Sequence, residues 1–133
     1  MFTSISSVLV IRYGAHPILD VPLPGREEEI PRGYELSQNF PNPFNPSTSI
    51  RFATENVAQI DVIVYDVLGR LVARLARGEY YPGRYSVVWD GRNDQGLQMP
   101  SGMYYIRMTA AGRPSGGSEP ARYSAVRKMV MMK

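Results

Sequence analysis

The sequence predicts an all-β protein, an immunoglobulin-like antiparallel β-sandwich of about seven strands. Three observations predict it. From residue 34 onward, short runs alternate apolar and polar residues, the period-2 pattern of half-buried strands. Turn signals punctuate those runs every eight to twelve residues or so, the spacing of sandwich folds. Eleven prolines and twelve glycines in 133 residues leave no convincing helix.

The first run, Ser7–Tyr13 (SVLVIRY), is β-branched and reads as one strand, a remnant of a preceding region or an extra edge strand. Residues 1–17 therefore stand apart from the rest of the chain. Within them His16, the only histidine, sits beside Pro17 in a loop without catalytic or metal-binding partners nearby. Residues 18–33 (ILDVPLPGREEEIPRG) carry three prolines and the acidic run Glu27–Glu29, the composition of a semi-rigid linker. A domain boundary is expected near residue 33, and residues 34–133 form the sandwich.

That domain opens with Leu36–Thr48 (LSQNFPNPFNPST). Pro41, Pro43 and Pro46 fix φ and lack N–H donors, so the segment is neither helix nor central strand. It reads as a rigid, turn-rich lead-in whose rings, Phe40 and Phe44, plug into the core. Ser49–Thr54 comes next as a strand with Ile50 and Phe52 on one face. Gln59–Asp66 places Ile60, Val62 and Val64 on one side and Ile63 and Tyr65 on the other. After the Leu68-Gly69 turn, Arg70–Arg77 sets Leu71, Ala73 and Leu75 against Val72, Arg74 and Ala76. The spacing of Leu71 and Leu75 also fits a helical turn, but the run is short and bounded by turns, which favours a strand. Glu79–Gly83 is expected to turn on Pro82-Gly83. Arg84–Asp90 points Tyr85, Val87 and Trp89 inward. A polar loop, Gly91–Gly102, leads to a strand at Met103–Ala111, the loop Arg113–Pro120 and a last strand at Arg122–Met132.

Composition narrows function by exclusion. With no cysteine there is no disulfide, thiol chemistry or Cys-based metal site, so Trp89 must pack against aliphatic and aromatic neighbours alone. No apolar run approaches the length of about 18 residues that a membrane-spanning helix needs. Residues 1–11 lack the charged n-region and cleavage site of a signal peptide. The net charge of +3 comes from dispersed arginines; Arg70, Arg74 and Arg77 are the nearest thing to a basic stripe, and no nucleic-acid partner is expected.

The same holds for chemistry. Asp61 and Asp66 lie an odd number of residues apart and project to opposite faces. No nucleophile–histidine pair and no phosphate-binding glycine loop exists, so the chain is not expected to be an enzyme or to carry a cofactor. The loop Asp90–Gly96 (DGRNDQG) offers Asp90, Asn93 and Asp94 as calcium ligands. However, Arg92 occupies an alternating position where a ligand would be needed, and the same residues are ordinary hairpin chemistry. Tyr80, Tyr81 and Tyr105 are candidates for the aromatic array of a carbohydrate binder. The last residues, RKMVMMK, remain apolar to the end, as suits a strand locked into the sandwich or presented to a partner.

LSQNFPNPFNPSTSIRF, VIVYDVLGRLVARLARGEYYPGRYSVVWDGRNDQG, SGMYYIRM and the terminal KMVMMK occur in that order, and together they resemble the type A C-terminal sorting domain of the type IX (Por) secretion system. The resemblance spans residues 34–133. WDG…G…SGMYY is also similar to the immunoglobulin-like domain of flagellar hook-capping proteins. The first resemblance implies a β-sandwich that folds in the periplasm. It would be recognised by the outer-membrane translocon and directs its cargo to the medium or the cell surface. A sortase-like cysteine peptidase would remove it, with cleavage before Tyr34. Gly102, Tyr104 and the residues Lys128, Met129, Val130, Met131, Met132 and Lys133 match the family motifs nearest the C-terminus, and they are the expected translocon-recognition residues. On this resemblance Tyr104 packs inward, Gly102 permits a tight strand start, and the final strand presents the recognition surface.

Only 33 residues precede the domain, so a cargo domain is expected to belong upstream of this sequence. The loop Arg113–Pro120 is longer than the family pattern. The alternative reading is a structural or carbohydrate-binding accessory module of an extracellular protein. Val8–Tyr13 is a candidate to pair with an open edge strand, within the chain or across a weak dimer.

Overall fold

The computed structural model describes residues 18–19, 31–112 and 121–133. The predicted strand Ser7–Tyr13, His16, the Glu27–Glu29 run and the loop Arg113–Pro120 lie outside the described residues. Among the described residues the regular elements are all strands: β1 (Ile18–Leu19), β2 (Glu35–Leu36), β3 (Thr48–Thr54), β4 (Ala58–Tyr65), β5 (Leu71–Tyr80), β6 (Gly83–Trp89), β7 (Gly102–Gly112) and β8 (Arg122–Met131). Two antiparallel sheets form, ordered β1-β6-β3-β2 and β5-β4-β7-β8. The strands β2–β8 make the predicted immunoglobulin-like sandwich. β1, in the stretch read as linker, pairs with β6 through Ile18↔Ser86 and Leu19↔Tyr85.

The core lies where the alternation places it. Ile50, Phe52, Tyr85, Val87 and Trp89 from the first sheet meet Ile60, Val62, Val64, Ile106, Met108, Met129 and Met131 from the second, all buried. β6 follows the predicted alternation throughout, with Arg84, Ser86 and Val88 away from the core. Phe52, Tyr80 and Tyr85 form a ring cluster with centroid separations of 5.0–5.5 Å.

β5 departs from simple alternation. Its register against β4 shifts twice, so that Ile63 faces Arg74 while Val62 faces Ala76, and Val64 faces Ala73 while Tyr65 faces Leu71. Val72 and Leu75 are the extra residues of two bulges, and both are buried beside Ala73 and Ala76. Leu71, expected on the same face as Ala73, is exposed on the outer face instead. The predicted turn Glu79–Gly83 is also shorter: β5 runs through Tyr80, whose ring is core, and only Tyr81 and Pro82 link it to β6.

Between β4 and β5, Asp66 organises a tight turn. Its Oδ1 accepts from the Leu68 and Arg70 N–H groups at 2.9 Å, and its Oδ2 from Arg70 Nε at 2.8 Å. The Arg70 backbone N–H above all holds this carboxyl below the usual carboxylate range; burial acts in the opposite direction, and the Arg70 side chain and the Leu68 N–H add to the lowering.

Candidate interaction site at the C-terminal strand

The proline-rich lead-in changes sheets. It first runs antiparallel to β3, with Ser37 N donating to Arg51 O and Phe40 exchanging both backbone bonds with Ser49, each at 2.9 Å. It then passes to the second sheet and lies parallel to the end of β8. Phe44 N donates to Val130 O at 2.9 Å, Met132 N donates to Phe44 O at 3.0 Å, and Asn42 Oδ1 accepts from Val130 N at 2.9 Å. Gln38 Nε2 donates to Lys128 O at 2.7 Å. Three prolines in this stretch contribute no donors, so side-chain amides supply part of the pairing that a regular strand would make through its backbone.

A buried polar pair braces the crossing. Asn39 Nδ2 donates to Thr48 Oγ1 at 2.9 Å and to Pro41 O at 3.1 Å, and Thr48 Oγ1 donates to Pro41 O at 2.8 Å. Both side chains are almost fully buried and have partners, as buried polar groups require.

The two phenylalanines of the lead-in part company, which corrects the sequence expectation. Phe44 plugs the core at 1% exposure, but Phe40 is 78% exposed. Phe40 directly opposes Ser49, which opposes Val88 on the outer face of the first sheet, so pairing with β3 turns its side chain outward.

Around Phe44, four separate stretches of sequence converge. Its ring lies 5.5 Å from Trp89, and Trp89 lies 5.1 Å edge-on to Tyr104. Trp89 Nε1 donates to Arg92 O at 2.9 Å. Tyr104 Oη donates to Pro100 O at 2.6 Å, four residues upstream, the geometry of a tyrosine corner. Burial first, then the Asp66 carboxylate, pushes the Tyr104 phenol above its ordinary range, so it keeps its proton and stays a donor. Gly91, with φ +79°, faces Met131: a Cβ there would come within 2.9 Å of Met131 Sδ and Gln98 Nε2 and 3.3 Å of Pro46 O. The lead-in, the loop after β6, the start of β7 and the end of β8 thus form one corner whose common element is the C-terminal strand.

The expected recognition residues divide into a base and a display. Tyr104, Met129 and Met131 are buried core residues. Lys128, Met132 and Lys133 are exposed and Val130 is half-buried, all on the solvent side. Gly102 is exposed at the start of β7, paired with Met131.

The calcium candidates spend carboxylate and amide oxygens on backbone N–H groups of the loop and of β5. Asp90 Oδ1 accepts from Arg92 N at 3.1 Å, and Asn93 Oδ1 from Gln95 N and Leu97 N at 3.0 and 2.9 Å. Asp94 Oδ1 accepts from Arg74 N at 3.0 Å while Asp94 N donates to Val72 O, so this residue caps the edge of β5. Among the described residues, no group of three or more acidic or histidine side chains could hold a metal ion. The carbohydrate-type array does not form either: Tyr80 is core, Tyr81 is exposed on the turn after β5, and Tyr105 is on the outer face of the second sheet.

Sequence reasoning did not assign Asn42, Gln38, Phe44 and Gly91 to the C-terminal strand. Their motifs were visible, but such distant pairing, 88 positions for Asn42 with Val130 and 90 for Gln38 with Lys128, was not.

Comparison with known proteins decides the family. The model of the FlgD Ig-like domain matches residues 40–113. The chain belongs to the FlgD Ig-like domain family. No curated protein matches the sequence. Among solved structures, the domain is similar to dimeric latent PorU from Porphyromonas gingivalis, with 24% identity and a TM-score of 0.57 over 74% of this chain. It is also similar to PorZ, a surface component of the type-IX secretion system of the same organism, with 20% identity and a TM-score of 0.43 over 76% of this chain. The match covers 9% of the PorU chain and 12% of the PorZ chain, a small part of each.

Proposed function

We propose that this FlgD Ig-like domain is a C-terminal sorting domain, which directs an exported cargo through a type IX outer-membrane translocon and is read at its last strand. It acts by binding rather than catalysis, passes through the periplasm, and carries its cargo to the medium or the outer-membrane surface. A sortase-like peptidase is the partner that would cut before Tyr34.

The observation that carries the reading is the clasp on β8. A strand can be read as a signal only if it is held in one geometry, because a loosely held strand opens locally. Here Asn42, Phe44 and Gln38 hold the backbone of residues 128–132, and Met129 and Met131 anchor it from below. Lys128, Val130, Met132 and Lys133 are left as the displayed side chains.

The test is export of a fluorescent reporter fused ahead of the full chain, in a bacterium that has this secretion route. Removing residues 128–133 would also remove two core methionines, so the informative variant changes only the display: Lys128→Glu with Met132→Ser and Lys133→Glu. Reporter in the medium for the parent and in the periplasm for the triple variant, with equal melting temperatures, is the expected result. Export of the triple variant at the parent's level would remove the terminal side chains as the signal.

A further inference from the structure

The outer face of the sheet β5-β4-β7-β8 carries two cross-strand rows that the sandwich leaves uncovered. One row reads Leu71–Tyr65–Tyr105–Lys128 from β5 to β8, and the next reads Arg74–Ile63–Arg107–Val126. Tyr65, Tyr105 and Ile63 are half-buried against their neighbours, while Leu71, Val126 and Met103 are 41%, 48% and 44% exposed. Met103 opposes Val130, so this face runs without a break into the displayed residues at the end of β8.

The face carries two carboxylates, Asp61 and Glu79, and neither is free, so the uncommitted charge around Arg74 and Arg107 has one sign. Asp61 is already paired with Arg77 at 3.7 Å. Asp94, at the β5 edge, gives its Oδ1 to the Arg74 backbone. Among the described residues no carboxylate lies within ion-pair distance of Arg74, Arg107 or Lys128. Arginine, tyrosine and methionine set among aliphatic side chains on a rigid surface is the composition of protein–protein contact cores. The sheet holds Tyr65 and Tyr105 half-buried rather than projecting them, which suits a shaped protein surface better than insertion into a bilayer.

Resting on the sorting function, we propose that the domain docks through this whole sheet face onto a carboxylate-rich surface of an outer-membrane protein, with Arg74 and Arg107 as its cationic contacts and the end of β8 as its outer row. The complementary charge would steer encounter and set register, while Tyr65, Tyr105 and Ile63 supply the desolvated centre.

The experiment uses the full chain behind the same reporter. Arg74→Glu with Arg107→Glu reverses the face without touching β8, and Arg51→Glu with Arg84→Glu makes the same change of net charge on the opposite sheet. The expected outcome is a drop of at least about tenfold in exported reporter for the first pair, since the reversed charges would repel a carboxylate-rich partner. The second pair should export at the parent's level; R74E/R107E should melt like the parent, and R51E/R84E, which loses the Arg84–Glu35 ion pair, slightly below it. Normal export of R74E/R107E beside retention of the terminal triple variant would overturn this face while leaving the sorting reading intact. No export of the parent would sink both. Vesicles of phosphatidylglycerol and phosphatidylcholine provide the other arm. Binding of the purified chain to them that R74E/R107E abolishes would overturn the protein partner in favour of an anionic membrane; no such binding is expected.

Discussion

The two halves of β8 pair with the same neighbour, β7, in one unbroken register from Arg122↔Ala111 to Met131↔Gly102, yet they are held differently. In the second half, Met129 and Met131 are buried and the outer edge is closed by Asn42 and Phe44. In the first half, Tyr123 and Ala125 are only half-buried, and the nearest support is Tyr34, whose ring lies 5.6 Å from Tyr123. Ladder alternation points the backbone groups of Val126 and Val130 away from β7 alike. Only Val130 meets an acceptor there among the described residues. Strand pairing alone therefore leaves one edge and one side-chain row of β8 open; a second edge partner and a covered row close them.

The sharpest way to break the comparison is to remove the ring that closes the second half. Phe44→Ala empties a site bounded by Trp89 and Met131 and should cost about 3–5 kcal/mol in denaturant unfolding, the usual range for a buried phenylalanine. Phe40→Ala, in the same proline-rich stretch, removes an exposed ring and should stay within about 0.5 kcal/mol of the parent. Equal losses from the two would show that the lead-in acts as a unit and that the core at Phe44 is not what closes the edge.

A smaller effect is expected beneath Met131. Gly91→Ala forces a side chain into left-handed backbone and against Met131 Sδ, and should cost about 3 kcal/mol, the upper end for local backbone strain. Gly96→Ala, at φ +86° but in open space, should cost only about 1 kcal/mol from the backbone alone. The difference between the two variants measures how firmly the loop after β6 is seated on the C-terminal strand. No difference would mean that Met131 moves aside freely.

Much of this was legible in the sequence, for local reasons. Tyr85, Val87 and Trp89 alternate without a break, so β6 and its inward face follow from period 2 alone. Ile60, Val62 and Val64 place β4 in the same way. Legibility failed where the partner decides the geometry. Val72 and Leu75 bulge because β5 is registered against β4 and capped by Asp94, and nothing in RLVARLAR announces that. Phe40 and Phe44 stand in near-identical Pro-Asn settings, and only the change of sheet between them sends one ring outward and the other inward. At the site, KMVMM was readable as a strand, but which of its residues are anchors and which are display depends on pairing with β7 and the lead-in.

The smallest effect tests the clasp itself. Asn42→Ala deletes the side-chain acceptor of the Val130 N–H and leaves Phe44 and its two backbone bonds in place. One partly exposed hydrogen bond contributes about 1 kcal/mol, so global stability should fall by no more than that. The local change should be larger in kind than in energy. In the parent, amide exchange should be slow at Val130 and fast at Val126, because their N–H groups face the same edge but only the first is bonded. In the variant, Val130 should exchange like Val126, while Met129 and Met131, whose N–H groups face β7, remain protected. Unchanged protection at Val130 would mean that the clasp is held by Phe44 alone, and the functional weight would shift from the asparagine of this motif to its phenylalanine. Export of the reporter by the same variant then separates the two roles of the lead-in: near-normal export would show that Phe44 and the methionine anchors suffice to present the end of β8, whereas loss of export at nearly full stability would show that the terminal backbone must be held at Val130 itself to be read.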